Sequence, residues 1–390
     1  MSKRFNFGGL LRSIRVTGPA GFGFAVGGYL GQRDPGIYSL RALVGLHKDW
    51  TPPSAAPPFS FYLSSAGGAS NTTLLQSGPT SSQITSQTVP NGTLTGDFGY
   101  QEYEIPSDGN YRFTLEGARG GVSTATINSR GPINGWNHFT PPSNSQRRCA
   151  RGAKVVGVYT LSAGDVITVV VGQQGADDPS NGQNPSGGGG TYVTLGTRAN
   201  VEASSDTLLF AAGGAGGYAG DGGTDNYTAG EGQATTTNPF TNSGGQGTAG
   251  NGAASSTSAN NSGGGGGYLT NSGNGAGNNF TNTELTGTTA YGFRNGSHGA
   301  EHTSGTNDQG GFGGGGAGSA QTGTDDDKGG GGGYSGGAYA FDAFSFGGGG
   351  GSFANAGATS TALSRGGAQY NNGATGVAEG NGSVFIEYGF

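Results

Sequence analysis

Glycine fills 88 of the 390 positions, and it comes in uninterrupted blocks that end on an aromatic ring. Gly187–Gly190 runs into Thr191-Tyr192, Gly263–Gly267 into Tyr268, Gly329–Gly333 into Tyr334, and Gly347–Gly351 into Ser352-Phe353. Glycine loses more backbone freedom on ordering than any other residue, so an ordered block must recover that cost through backbone contacts that a Cβ would block. A flexible linker has no use for a ring at the end of each block. We therefore expect each block to be a short left-handed helix of the polyproline II type, with its N–H and C=O groups reaching neighbouring blocks. At about 3.1 Å per residue, five glycines span only about 16 Å. The blocks must then lie side by side, with the rings plugging the bundle ends or docking on an adjacent sheet.

The strands that such a bundle could lean on are legible from Asp97 onward. Phe98, Tyr100, Tyr103 and Ile105 precede a turn cluster at Pro106–Asn110, and Tyr111–Ala118 then alternates apolar and polar. Ala153–Leu161 and Val166–Val171 follow, the second β-branched at every position, as in a strand buried on both faces. Thr191–Leu195, Thr207–Ala212 and Ser383–Tyr388 complete the series, and Phe59–Leu63 is a further candidate. Short strands between Gly, Pro and Asp turns, with no convincing helix, predict an all-β antiparallel sandwich.

Four parts are expected along the chain. Residues 1–50 carry seven basic side chains against two acids, while the whole chain has a net charge of −6. This basic, aromatic head reads as an attachment region for a partner subunit, with Phe5, Phe7, Arg12, Arg15 and Trp50 as its candidate contacts. It lacks a recognition-helix pattern, so no nucleic-acid partner is expected. Residues 51–58 form a Pro-rich connector, 59–96 a polar Ser/Thr-rich segment, and 97–390 the glycine-rich domain, whose polyglycine insertion spans about 213–382.

The function classes that this composition disfavours are broad. Cys149 is the only cysteine, so no intrachain disulfide framework exists. No segment approaches the roughly 18 apolar residues of a membrane span, and Met1–Val16 lacks the apolar stretch of a signal peptide. His298 and His302 are four apart, but the Gly/Ser/Thr around them suits no helical ligand face. Asp325–Asp327 reads as a solvated acidic turn, and no nucleophile has a base and orienter nearby in sequence. Neither an enzyme nor a metal or other cofactor is expected.

The order of these elements resembles a known module. Leu115-Glu116-Gly117-Ala118-Arg119-Gly120-Gly121, the segment Val169–Gly175 with its VGQQG, the ordered glycine blocks, and the closing Glu379–Ile386 are similar to the glycine-rich domain of the anaplastic lymphoma kinase and leukocyte tyrosine kinase receptor ectodomains. The likeness covers about residues 97–390. It implies a jelly-roll sandwich like that of tumour necrosis factor, carrying an inserted bundle of polyglycine helices. The receptor domains have disulfides, a kinase domain and a membrane span that this sequence lacks, so the resemblance is to a module and not to a receptor. The tip adhesin of T-even-type phage tail fibres is the other setting for such bundles, and there loops at the bundle end bind the host surface.

Together these readings lead to an expected virion structural protein, a phage tail-fibre or receptor-binding component made in the host cytoplasm and displayed on the virion surface. Residues 1–50 would meet other virion proteins, and loop residues Tyr227, Tyr291, Phe293 and Arg294 would contact a host-surface glycan or protein. Several copies would add avidity, so a homo-oligomer such as a trimer is expected, with no membrane insertion. The alternative is a capsid decoration or extracellular filament subunit with no receptor of its own.

Overall fold

The computed structural model describes residues 57–64, 78–122, 150–177, 184–218, 230–239, 245–255, 262–273, 289–301, 309–319, 328–340, 346–368 and 380–389. These belong to one of two compact units, residues 56–390. The other unit, residues 1–55, lies outside the described residues, and with it Phe5, Phe7, Arg12, Arg15 and Trp50.

The described residues are mostly strand, an all-β arrangement built on two antiparallel sheets with very few helices. One sheet has the order β1-β11-β4-β5-β10, from Phe59–Leu63 (β1), Ser383–Tyr388 (β11), Gly109–Glu116 (β4), Lys154–Leu161 (β5) and Thr359–Ser364 (β10). The other has the order β2-β3-β6-β7-β8-β9, from Leu94–Asp97 (β2), Tyr100–Glu104 (β3), Val166–Val170 (β6), Thr191–Leu195 (β7), Thr207–Ala212 (β8) and Phe353–Ala354 (β9). Their facing side chains share one core. Leu63, Phe113, Leu115, Val155, Val384 and Ile386 come from the first sheet, and Ile167, Val169, Val193 and Leu209 from the second.

The alternation along β6 explains its unbroken β-branched sequence. Ile167 and Val169 enter the core between the sheets, whereas Val170 points the other way into a second cluster with Tyr100, Tyr192, Leu208 and Ala211. The second sheet is therefore covered on both faces, which is the environment that a continuous apolar strand requires.

The polar segment 59–96 holds more structure than its composition suggests. Besides β1 it contains β2 and a short helix, α1 (Ser81–Thr85), whose single apolar residue Ile84 is buried. A second short helix, α2 (Arg198–Glu202), follows β7 and is capped by Thr197 through Asn200. Strands β9 and β10 fall inside the stretch expected to be a pure polyglycine insertion. β10 pairs with β5 at the sheet edge and is exposed along most of its length, so it lacks the apolar alternation that would mark it in the sequence.

The glycine blocks bond to one another with a repeat of three. In the block Gly329–Gly333, Gly329 and Gly332 donate to Pro185 and Gly188, at 3.1 and 2.9 Å. Gly330 and Gly333 donate to Gly263 and Gly266, at 3.0 and 3.2 Å, and Gly331 and Tyr334 to Gly348 and Gly351, both at 2.8 Å. This block thus meets three neighbours, and both donor and acceptor advance by three residues together. The block after β8 keeps the spacing of three with one neighbour running in the opposite direction: Gly214 and Gly217 donate to Gly332 and Gly329, while Ala215 and Tyr218 donate to Ala118 and Gly121. The packing has no room for side chains, since a β-carbon at Gly331 would collide with the Gly214 carbonyl and one at Gly350 with the Gly332 carbonyl.

Candidate functional site

The two ends of the stacked glycine segments differ in chemistry. At the end against the second sheet, the rings that close the blocks gather. Tyr192, Tyr268, Tyr334 and Phe353 belong to or pack on the cluster that also holds Tyr100, Phe293 and Phe312. Tyr268 stacks on Phe293 at 5.5 Å and on Tyr334 at 6.4 Å, and Tyr334 stacks on Phe353 at 4.8 Å. The buried hydroxyls of Tyr192 and Tyr100 are satisfied as burial demands. Tyr192 Oη donates to the Gly333 carbonyl at 2.9 Å, and Tyr100 Oη to the Phe293 carbonyl.

This end is where the structure places three of the residues expected at a binding loop, and it corrects the role of one. Phe293 is 1 % exposed, inside a one-turn 3-10 helix (Phe293–Asn295), with Tyr100, Tyr192 and Tyr268 around its ring. Its ring is core and is not offered to a partner. Arg294 lies over the Tyr268 ring at 4.6 Å and pairs with Asp206, whose side chain is fully buried, at 2.8 Å. Asp206 also accepts from Tyr268 Oη at 2.7 Å, so one carboxylate joins the start of β8, a block-closing ring and the 3-10 turn. Tyr291 is half-buried, set edge-on to the buried His298, which in turn stands edge-on to Phe312. Burial pushes the hydroxyls of Tyr192 and Tyr268 above the ordinary tyrosine range.

At the opposite end Val122 pairs with Tyr218, Tyr218 with Phe346, and Lys328 with Ala340 in isolated β-bridges. Backbone bonds hold this end together: Gly121 donates to Ser186, Gly347 to Gly217, Gly329 to Pro185, and Lys328 to Ala340. Val122, Ala150, Ala215, Tyr218 and Phe346 form a small core there, with the rings of Tyr218 and Phe346 stacked at 4.3 Å. The Arg119 guanidinium, 2 % exposed, makes a two-bonded pair with Asp177 at 2.8 and 3.0 Å. Asp177 also accepts from the Val122 N–H at 2.9 Å, which ties residues 122 and 177 to each other.

Tyr227 lies outside the described residues. Sequence reasoning missed Asp206, Asp177 and the pairing role of Arg119; Arg119 stands out as a lone charge among Gly117, Gly120 and Gly121, whereas Asp206, within Ser204-Ser205-Asp206-Thr207, carries no such signal. Among the described residues no three His, Cys, Asp or Glu side chains come together, and no helix is long and apolar enough to cross a membrane. Neither a protein-family model nor a curated protein matches this chain.

Proposed function

We propose that this chain is a structural protein of a virus particle, a phage tail-fibre or receptor-binding component that displays a stiff glycine-rich domain for host-surface binding. In this reading the glycine blocks are polyglycine helices of the polyproline II kind inserted into a jelly-roll-like sandwich, as the resemblance to the receptor ectodomain module implies. The observation that carries it is the three-residue hydrogen-bond repeat of Gly329–Tyr334 onto three different neighbours, the period of that helix type. A bundle bonded in this way is a rigid stalk. Its far end, away from the second sheet, is closed by the stacked rings of Tyr218 and Phe346, and we assign Tyr227, beyond Tyr218 in the sequence, to a contact loop.

The partners follow from the same reading. Residues 1–50, basic and aromatic, attach the protein to other virion proteins, and a loop that includes Tyr227 touches a host-surface glycan or protein. A homo-oligomer multiplies weak contacts into avidity, and no catalytic step is required. The test replaces residues 219–229 by a Gly/Ser linker in the full chain. We expect unchanged thermal unfolding, unchanged incorporation into particles by mass spectrometry, and at least about a tenfold loss of binding to host cells, the equivalent of one or two good contacts. Abundant incorporation with no cell binding by the unaltered protein would favour a decoration subunit instead.

A further inference from the structure

The hairpin joining β2 to β3 turns on Phe98 and Gly99, with φ of 48° and 82°, between the paired residues Asp97 and Tyr100. A two-residue turn with both residues left-handed ordinarily takes Asn-Gly or Asp-Gly. An aromatic residue in that conformation is a strained outlier, and such outliers persist where the surroundings fix them. Here the fixing comes from behind. The Phe312 ring fills the space where a β-carbon of Gly99 would stand, and it lies 2.7 Å from where one at Gly78 would stand. The packing explains Gly99; it does not explain a ring at position 98, which is only half-buried.

That ring lines an open cleft of about 310 Å³ together with Pro79, Thr80, Ser81, Ser82 and Asp97. The volume is at the lower end of the roughly 300–1,000 Å³ typical of small-ligand pockets. Its wall sets three exposed hydroxyls, of which Thr80 and Ser82 bond each other at 3.1 Å, and one carboxylate beside an aromatic surface. Asp97 Oδ1 already accepts from Ser81 Oγ at 2.7 Å and from the Phe98 N–H at 2.9 Å, and its second oxygen has no protein donor among the described residues. The Arg198 guanidinium lies 4.9 Å from the Phe98 ring centre and bonds Glu202 at 2.8 Å, so the ring is steadied without adding a net positive charge.

We propose that this cleft binds a neutral pyranose sugar. One face of such a ring is C–H and stacks on an aromatic side chain, while its hydroxyls donate to a carboxylate and exchange bonds with Ser and Thr. The chain's net charge of −6 and the carboxylate in the wall disfavour phosphate or sulfate ligands. The cleft adds a glycan contact to the host-surface reading, lined by residues that take no part in the far end of the bundle, so the two can be tested apart.

The test uses the full chain with glucose, galactose, mannose and N-acetylglucosamine, each read by saturation-transfer NMR and titration calorimetry. At least one should bind, with about a tenfold loss in Phe98→Asn. Asn suits the left-handed turn, so this variant should unfold at the same temperature or higher, which separates lost binding from lost folding. Phe98→Tyr should keep binding, and the 219–229 linker variant should bind sugar as the unaltered chain does. No binding of any of the four sugars, or full binding by Phe98→Asn, would overturn the cleft assignment. If the protein still adheres to host cells in that case, the host-surface reading stands alone; sugar binding without cell adhesion would leave the cleft and remove that reading.

Discussion

The Tyr192 hydroxyl donates to the carbonyl of Gly333 across 2.9 Å, joining a strand of the second sheet to a glycine block 141 residues further along the chain. The same ring packs on Phe293 at 4.9 Å, so a single side chain ties sheet, glycine block and aromatic cluster together. Removing the hydroxyl with Tyr192→Phe keeps the packing and leaves a buried carbonyl short of a partner. We expect a loss of about 1 kcal/mol in a denaturant melt.

Alkali should attack the same region. Burial raises the hydroxyls of Tyr100, Tyr192 and Tyr268, and pushes Tyr103 up to about 12. A group whose proton is held more tightly in the folded state gives stability that is complete below its unfolded value, about 10 for tyrosine, and is lost as the pH climbs past it. Stability measured against pH should therefore be level with respect to these groups up to about 10 and fall above it. Tyr192→Phe should make that fall less steep, and an unchanged slope would show that Tyr192 does not titrate in a buried site.

Glycine positions in the stack should tolerate nothing larger. Gly331→Ala pushes a methyl into the Gly214 carbonyl, and we expect a loss of about 3 kcal/mol or more. Gly245→Ala is the internal control, because its added carbon meets nothing closer than the Ala254 side chain at 3.5 Å. That change should stay within about 0.5 kcal/mol. Equal effects at the two positions would mean that composition matters and register does not.

Arg294 is expected to act on stability through Asp206. Arg294→Ala leaves the buried Asp206 carboxylate with Tyr268 as its remaining side-chain partner among the described residues, and the expected cost is about 3 kcal/mol. Adding Asp206→Asn removes the stranded charge and should recover part of that loss, a coupling that a double-mutant cycle by thermal unfolding would read.

Much of this architecture is legible in the sequence because its signals are local. The alternation of Tyr111–Leu115 and the β-branched run Val166–Val170 each announce their burial pattern within a few residues, and the rings at Tyr192, Tyr268, Tyr334 and Phe353 announce where blocks end. The segment Gly292-Phe293-Arg294-Asn295-Gly296 misleads for the opposite reason. Flanked by glycines it reads as a loop tip, yet the groups that bury it, Asp206 and Tyr100, stand 88 and 193 residues away. β10 is hidden because an exposed edge strand such as Thr359–Ser364 has no apolar face to show. The far end of the stack is equally unreadable, since the bond that the Val122 N–H donates to Asp177 links residues that only the fold brings together.

The most direct test of the glycine stack is hydrogen exchange at single-amide resolution on the full chain, read across Gly187–Gly190, Gly213–Gly217, Gly329–Gly333 and Gly347–Gly351. Amides bonded in the three-residue repeat should exchange at least about a thousandfold more slowly than an unstructured chain, a local opening free energy of about 4 kcal/mol. Exchange at the unstructured rate in these blocks, while β4, β5 and β6 stay protected, would contradict a bonded stack and leave the glycine segments as a tether.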